Sequence, residues 1–327
     1  MRRRAFAIAA AIAVTAPVLP GQTRGWVDLS GHNVSAVDVA PGVHLEVLDW
    51  GGSGPPIVLL PGLGNTAHVF DHFAHQFTDR WRVLGITRRG FGDSSHPNGG
   101  YDLATRARDI HGVADHFTFD RVILVGHSIA GDEMTKFAGM FPGRTRAVVY
   151  LDAAYDRTKV KQLPQPAYPI PPADAQSSAE KYTAYLARVW NWRAPDAELY
   201  NTRFVAPDGR VGDMEAAPEI PAEIIKRIEP PDYKSLTAPA LALYSRPNAQ
   251  TAYPYYAELD AESKARADSI VEETQTYQKE AIAGFLDGAT NRRTVVLDGN
   301  HYLFFTNEAE VVRLVRDFLG AVSSGPQ

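Results

Sequence analysis

The segment from residue 121 to residue 131 constrains the fold of this chain more than any other. An apolar, β-branched run, Val122-Ile123-Leu124-Val125, stops at the cluster Gly126-His127-Ser128-Ile129-Ala130, and a helix-compatible sequence follows. A strand–turn–helix unit of this kind can raise a serine hydroxyl above the end of a sheet, so Ser128 is the candidate nucleophile. A serine that only caps the helix would fit the same five residues. The assignment therefore depends on partners elsewhere in the chain.

Strand-like and helix-like segments alternate on both sides of this unit. The strand-like runs are apolar and short, and they cover residues 43–50, 56–60, 81–86, 147–151, 239–244 and 293–297. The helix-like segments between them cover residues 66–77, 103–117, 130–141, 257–286 and 308–319. This alternation predicts parallel βαβ units and an α/β fold, a mostly parallel sheet with helices on both faces.

The alternation stops after Tyr155. Five prolines lie at positions 164, 166, 169, 171 and 172, where neither a helix nor a central strand is favoured. Helix-like stretches with several aromatic residues follow at about 179–192 and 222–228. We therefore expect a cap or lid insertion at 156–235, within one core domain formed by 24–155 and 236–327.

The amino-terminal residues have the features of an export signal. Arg2, Arg3 and Arg4 precede an apolar run at 5–14 that is too short for a permanent membrane span. We expect residues 1–23 to be a signal peptide with an unassigned cleavage site, and the protein to be secreted or periplasmic. A disordered or membrane-tethering segment is the alternative. The absence of cysteine fits export, and the net charge of -5 gives no reason to expect a nucleic-acid partner.

A serine nucleophile needs a base, and histidine is suited to that role near neutral pH. His301 follows the last predicted strand through the loop Asp298-Gly299-Asn300. In open parallel sheets the reactive groups lie at the carboxyl ends of strands, and His301 meets this condition. His127 is adjacent to the serine, but we expect it to be a packing residue because neighbouring side chains on the turn point apart.

The base needs an acidic partner that holds its tautomer. The strand at 239–244 is followed by a loop without a carboxylate, whereas the strand at 147–151 runs directly into Asp152. We therefore expect Asp152 to orient His301. Other carboxylates, at Asp156, Glu258 and Asp260, are the alternatives, and Asp298 is too close to His301 in sequence for this role.

Two backbone N–H groups should bind the negative oxygen that forms during acyl transfer. Ile129, the residue after the nucleophile, supplies one. The strand at 56–60 leads into Pro61-Gly62-Leu63-Gly64, whose glycines allow a substrate to approach the backbone closely. The Leu63 amide is the predicted second donor.

Together these motifs resemble the α/β-hydrolase superfamily over nearly all of residues 40–320. The resemblance rests on Leu60-Pro61-Gly62-Leu63-Gly64, Arg89-Gly90-Phe91-Gly92-Asp93-Ser94, Gly126-His127-Ser128 and Gly299-Asn300-His301. It implies an eight-stranded sheet, a Ser-His-acid triad and a mobile cap. Proline replaces the usual histidine at position 61, and the acid after the sixth strand resembles a subset of the family.

The resemblance also narrows the reaction. Epoxide hydrolases and haloalkane dehalogenases of this fold use an aspartate nucleophile, and position 128 is serine. We expect hydrolysis of a carboxylic ester of apolar character through an acyl-enzyme, without a cofactor. Carbon–carbon bond hydrolysis and cofactor-free perhydrolysis are alternatives on the same triad, and a non-catalytic ligand-binding receptor is an alternative of another class. The sequence leaves the oligomeric state open.

Two further patterns carry less weight. His68, His72 and His75 have the i, i+4 and i+7 spacing that would place three imidazoles on one helix face, where they could hold zinc. A solvated, partly exposed helix face is the preferred explanation of that spacing, so we expect no metal there. The aromatic residues of the predicted cap are expected to line an apolar pocket or to form its core; they are Tyr182, Tyr185, Trp190 and Trp192.

Overall fold

The computed structural model describes residues 26–160, 165, 166, 169 and 171–324, so the predicted signal peptide lies outside the described residues. The described residues contain ten strands: β1 Asn33–Ala40, β2 Val43–Gly51, β3 Pro56–Leu60, β4 Arg82–Ile86, β5 Val122–His127, β6 Thr145–Leu151, β7 Arg203–Val205, β8 Val211–Met214, β9 Ala240–Arg246 and β10 Arg292–Asp298. Eight of them form one sheet in the order β1-β2-β4-β3-β5-β6-β9-β10. The β1–β2 and β2–β4 pairs are antiparallel and the other pairs are parallel, which confirms the predicted sheet.

The helices alternate with these strands. They are α1 Asp71–Ala74, α2 Leu103–His116, α3 Ala130–Met140, α4 Ala179–Trp190, α5 Asp196–Thr202, α6 Glu219–Lys226, α7 Ala249–Ala252, α8 Ala261–Leu286, α9 Leu303–Thr306 and α10 Glu308–Ser324. Single 3₁₀ turns flank α1 at Ala67–Phe70 and His75–Phe77. No helix among the described residues is long and apolar enough to cross a membrane.

Each central strand buries both of its faces. On β3, Val58 and Leu60 belong to the apolar cluster that includes α2, α3 and α8, whereas Ile57 and Leu59 belong to the cluster that includes α1 and α10. Because side chains alternate across a strand, helices on both faces require an uninterrupted apolar run. The run Val122-Ile123-Leu124-Val125 of β5 is buried throughout.

The parallel register brings the carboxyl ends of the central strands to one edge. Gly126 of β5 is paired with Leu60 of β3 and with Tyr150 of β6. Leu243 of β9 is in turn paired with Leu151, the last residue of β6. The loops that follow these strands, and the one that follows β10, therefore leave the sheet side by side.

The segment between β6 and β9 contains α4, α5, the β7–β8 hairpin and α6. The hairpin was not predicted, and its turn holds Gly209 at a φ of 84°. Several hydrogen bonds join the insertion to the core; among them, Glu198 of α5 accepts from Thr66, and Asn300 donates to the Trp190 carbonyl. The domain boundaries at 155/156 and 235/236 stay a prediction.

Candidate active site

Ser128 lies on the sharp turn between β5 and α3. Its φ is 54°, in the left-handed region that side chains other than glycine rarely adopt. Small neighbours permit the turn: a Cβ on Gly126 would lie 2.9 Å from the Ala130 Cβ, and one on Gly131 would lie 2.0 Å from the Ala153 carbonyl oxygen. The sequence places small residues here because the strand, the helix and the loop after β6 meet at this point.

Asp152 follows β6 directly and is also left-handed, with a φ of 48°. Its side chain is buried and accepts four hydrogen bonds: from His301 Nδ1 at 2.7 Å, Ser245 Oγ at 2.7 Å, the Ser245 amide at 3.0 Å and the Tyr155 hydroxyl at 2.7 Å. Burial alone would raise the pKa of Asp152, but the bonds from His301 and Ser245 outweigh it and lower the pKa. Asp152 is therefore an anion at neutral pH.

His301 is half-exposed in the loop after β10. Its Nδ1–H donates to Asp152, because an ionised carboxylate can only accept. The other ring nitrogen, Nε2, is thereby left to accept a proton. Within the described residues no hydrogen bond joins the Ser128 hydroxyl to this ring; in related chemistry this contact often tightens only when substrate binds.

His127 is buried, as expected, but its neighbours are the candidate catalytic groups. Its ring centroid lies 4.4 Å from that of His301, and its Nε2–H donates to the His301 carbonyl at 3.0 Å. A Cβ on Gly62 would lie 2.8 Å from His127 Nδ1. Burial, together with the charge of His301, holds the pKa of His127 well below its usual range. A neutral His127 therefore separates the Gly62 loop from the His301 loop.

The Leu63 and Ile129 amides form the predicted oxyanion site. Neither amide donates a hydrogen bond to another described residue, so both are available to a substrate oxygen. Arg88 fixes the loop that carries Leu63, since its guanidinium donates to the Pro61 carbonyl at 2.8 Å and pairs with buried Glu133 at 2.5 Å. This role of Arg88 was not predicted from the sequence.

The alternative carboxylates are engaged elsewhere. Asp156 accepts from Thr158, Glu258 pairs with Arg188, Asp260 caps α8 at Ser263, and Asp298 pairs with Arg246 at 2.7 Å. Among the described residues, Asp152 is the carboxylate that is hydrogen-bonded to His301. Ser245, predicted as a loop residue, ends up within β9, and its side chain binds Asp152.

We call the segment Pro61-Gly62-Leu63-Gly64 the oxyanion loop. A cleft of about 260 Å³ lies beside it and is lined by Leu63, Tyr302, Leu186, Trp190 and Trp192 among others. The lining is mainly apolar. Two of the four aromatic residues singled out in the sequence therefore reach this cleft. Tyr182 packs in a small cluster within the insertion, whereas Tyr185 also packs against Tyr253, Tyr255 and Ala267, which lie outside the insertion.

The three histidines after the oxyanion loop do not share a face. His68 is buried, whereas His72 and His75 are exposed. The helical spacing fails here because the segment changes from a 3₁₀ turn to one turn of α-helix and back, so the rotation per residue is not constant.

Comparisons with known proteins agree with this fold. A family model described as the alpha/beta hydrolase fold matches residues 55–191. The chain has the α/β-hydrolase fold. A solved structure of E-2-(acetamidomethylene)succinate hydrolase, at 20% identity, superposes with a TM-score of 0.62 over 88% of this chain and 99% of that one. The resemblance inferred from the motifs is confirmed at the level of the fold.

Two curated proteins are similar in sequence to part of this chain. A 2-(acetamidomethylene)succinate hydrolase from Mesorhizobium japonicum is 32% identical over 101 residues, which is 31% of this chain and 36% of that protein. A putative non-heme chloroperoxidase from Synechocystis is 34% identical over 117 residues, which is 36% of this chain and 40% of that protein. The chain thus spans well under half the length of these curated relatives.

Proposed function

We propose that this chain is a serine hydrolase that cleaves a carboxylic ester through an acyl-enzyme intermediate. The observation that carries the proposal is the 2.7 Å hydrogen bond from His301 Nδ1 to buried Asp152, at the sheet edge from which Ser128 projects. A histidine held through Nδ1 in this way leaves Nε2 free to act as a base. The likeness to α/β-hydrolase relatives supports the same class of reaction.

In the proposed reaction, His301 Nε2 takes the Ser128 proton while the serine oxygen attacks the ester carbonyl. The Leu63 and Ile129 amides bind the carbonyl oxygen as it becomes negative. The histidine then returns the proton to the departing alcohol, which leaves an acyl group on Ser128. Water, deprotonated by His301, attacks the acyl group and releases the acid.

The cleft that is lined by Leu63, the predicted oxyanion donor, supports an apolar ester; Ser128 and His301 are not among its lining residues. Its walls carry Leu186, Trp190 and Trp192, and a volume of about 260 Å³ suits a small acyl or alcohol group. Short and medium-length esters should therefore be better substrates than long-chain lipids.

A panel of p-nitrophenyl esters of increasing acyl length tests this proposal. We expect a burst of one nitrophenol per chain, an optimum at a short or medium chain, and loss of activity in Ser128→Ala. Ser269→Ala is the matched control, because Ser269 is exposed on α8. Folded wild-type protein without turnover on any ester would contradict the proposal and favour a ligand-binding role.

A second candidate is cofactor-free perhydrolysis, which the similarity to a protein named as a putative non-heme chloroperoxidase favours. The same acyl-enzyme would then transfer its acyl group to hydrogen peroxide, so that a peracid and free Ser128 are formed. Peracid formation from an ester and peroxide, compared with hydrolysis of the same ester, separates the two reactions.

A further inference from the structure

A second group of titratable side chains is formed by residues before β1 and residues that follow the loop at 61–64; Ser128 is not part of it. It consists of two histidines and two aspartates with one ligand atom each within 4.8 Å of one another: Asp28, His32, His68 and Asp71. We refer to these four residues as the His–Asp cluster. Asp28 and His32 precede β1, whereas His68 and Asp71 lie on the turns that follow the oxyanion loop.

Each histidine of the cluster has one ring nitrogen on a carboxylate, which is Glu46, outside the cluster, for His68 and Asp71, a member of the cluster, for His32. His32 Nδ1 donates to Asp71 Oδ1 at 2.8 Å, and His68 Nε2 donates to Glu46 Oε1 at 3.2 Å. These bonds leave His32 Nε2 and His68 Nδ1 facing the centre with a lone pair in the neutral ring. Metal-binding histidines are usually held in this way, with the second N–H on a carboxylate.

Two of the four atoms that face the centre lack hydrogen-bond partners. His68 Nδ1 and Asp71 Oδ2 are both buried without a partner, and their residues are 2% and 3% exposed. Buried polar atoms normally form hydrogen bonds. Two unpartnered polar atoms that face the same point therefore indicate a missing ligand. Within the described part of the chain, no lysine or arginine pairs with Asp28, Asp71 or Glu46, so the local charge also favours a cation.

The spacing fits a small tetrahedral ion. Asp28 Oδ2 lies 3.3 Å from His32 Nε2 and 3.5 Å from His68 Nδ1, and His68 Nδ1 lies 3.7 Å from Asp71 Oδ2. Ligand atoms at 2.0–2.1 Å from a tetrahedral zinc ion are roughly 3.3 Å apart. We propose that the His–Asp cluster binds one zinc ion, or a similar divalent transition metal, as a closed four-ligand structural site.

This site would tie the first described segment to the core. Asp71 also accepts a hydrogen bond from the Trp50 indole at 3.0 Å, and Glu46 accepts one from Thr87, whose hydroxyl oxygen accepts from the Ala67 amide. A bound ion would therefore hold residues 28–32 against β2 and against the turn that follows the oxyanion loop. The proposal is independent of the esterase assignment, and its test does not use activity.

Zinc titration of the full chain, after removal of metal with a chelator, tests the site. We expect one zinc per chain, a rise in Tm on binding, and intense visible absorption when cobalt replaces zinc. Asp28→Asn and His32→Gln should each weaken zinc binding at least tenfold. Asp28 is the most exposed ligand, so its variant should still fold, and His72→Ala, an exposed histidine on the same segment, is the matched control.

Zinc uptake equal in Asp28→Asn, His32→Gln and wild type would place the ion elsewhere and overturn the proposal. A wild-type protein that takes up no zinc would overturn it as well. If the variants lower the Tm while zinc leaves the wild-type Tm unchanged, the cluster is an ion-pair network only.

Discussion

Ser128 and Asp152, the proposed nucleophile and acid, both have a positive φ. Both are left-handed residues with a side chain, a conformation that costs on the order of 1–3 kcal/mol each. Each stands directly after a buried parallel strand, and the Ser128 amide donates to Leu151, the residue before Asp152. The surrounding sheet thus holds both groups in conformations that they would not adopt alone.

Replacing Asp152 by asparagine should lower kcat strongly. The amide keeps the shape of the carboxylate but favours the wrong His301 tautomer, so we expect a loss of roughly three to four orders of magnitude. Steady-state kinetics on the best nitrophenyl ester measure this loss. The unfolding transition of the variant shows whether the loss is in catalysis or in folding.

Asp298→Asn is the matched control, because this exposed carboxylate is close to His301 in sequence yet pairs with Arg246. It should retain kcat within about twofold. Near-normal turnover in Asp152→Asn would assign the acid role to another carboxylate.

The proposed catalytic residues were accessible from the sequence because each stands at the end of an apolar run. Ser128, Asp152 and His301 follow three such runs. The position of each run in the chain reduced the number of candidate histidines and carboxylates. Ser245 and His127 were not identified as partners. Their contacts depend on the register between neighbouring strands and on loop packing, and neither leaves a local pattern.

At the scale of elements, the contact between α3 and the loop after β6 depends on one glycine. A Cβ on Gly131 would lie 2.0 Å from the Ala153 carbonyl oxygen, which is backbone and cannot rotate away. Gly131→Ala should therefore lower the free energy of unfolding by at least about 1–3 kcal/mol, the usual cost of overpacking. Urea denaturation measures the change.

Gly284→Ala on α8 provides the comparison, since nothing lies within 4 Å of a Cβ at that position. Alanine should be neutral or raise stability by about 0.5–1 kcal/mol. Equal effects of the two substitutions would show that the close approach at Gly131 is not a constraint.

Burial and length decide which strands could be predicted from the sequence. The buried strands β3, β5, β6 and β9 were located within a few residues because their apolar runs are continuous. The edge strand β1 was missed because it is mostly exposed and has a mixed polar sequence. The β7–β8 hairpin was missed because strands of three and four residues are too short to show alternation.

At the scale of the whole molecule, Glu198 couples the insertion to the core. Its buried carboxyl accepts from Thr66 Oγ1 at 2.5 Å and from Asn65 Nδ2 at 2.8 Å. Burial raises the pKa of Glu198 to about 7, against hydrogen bonds that lower it. The folded state therefore binds the Glu198 proton more tightly than the unfolded state. The resulting contribution of Glu198 to the free energy of unfolding is fully present below about pH 4.5 and is lost as the pH rises through about 7.

The free energy of unfolding should therefore fall between pH 5 and pH 8 by more in wild type than in Glu198→Gln. The difference should be up to about 3 kcal/mol, since each pKa unit corresponds to about 1.4 kcal/mol. Urea denaturation of both proteins at the two pH values measures it. Identical pH dependence in the two proteins would mean that Glu198 ionises normally in the fold.

The central claim, an activated Ser128, is tested most directly by labelling the folded protein with a fluorophosphonate probe and mapping the modified peptide by mass spectrometry. The account predicts one label per chain on Ser128, no label in Ser128→Ala, and much slower labelling in His301→Gln. Wild-type protein that stays unlabelled, or a label on another serine, would contradict it.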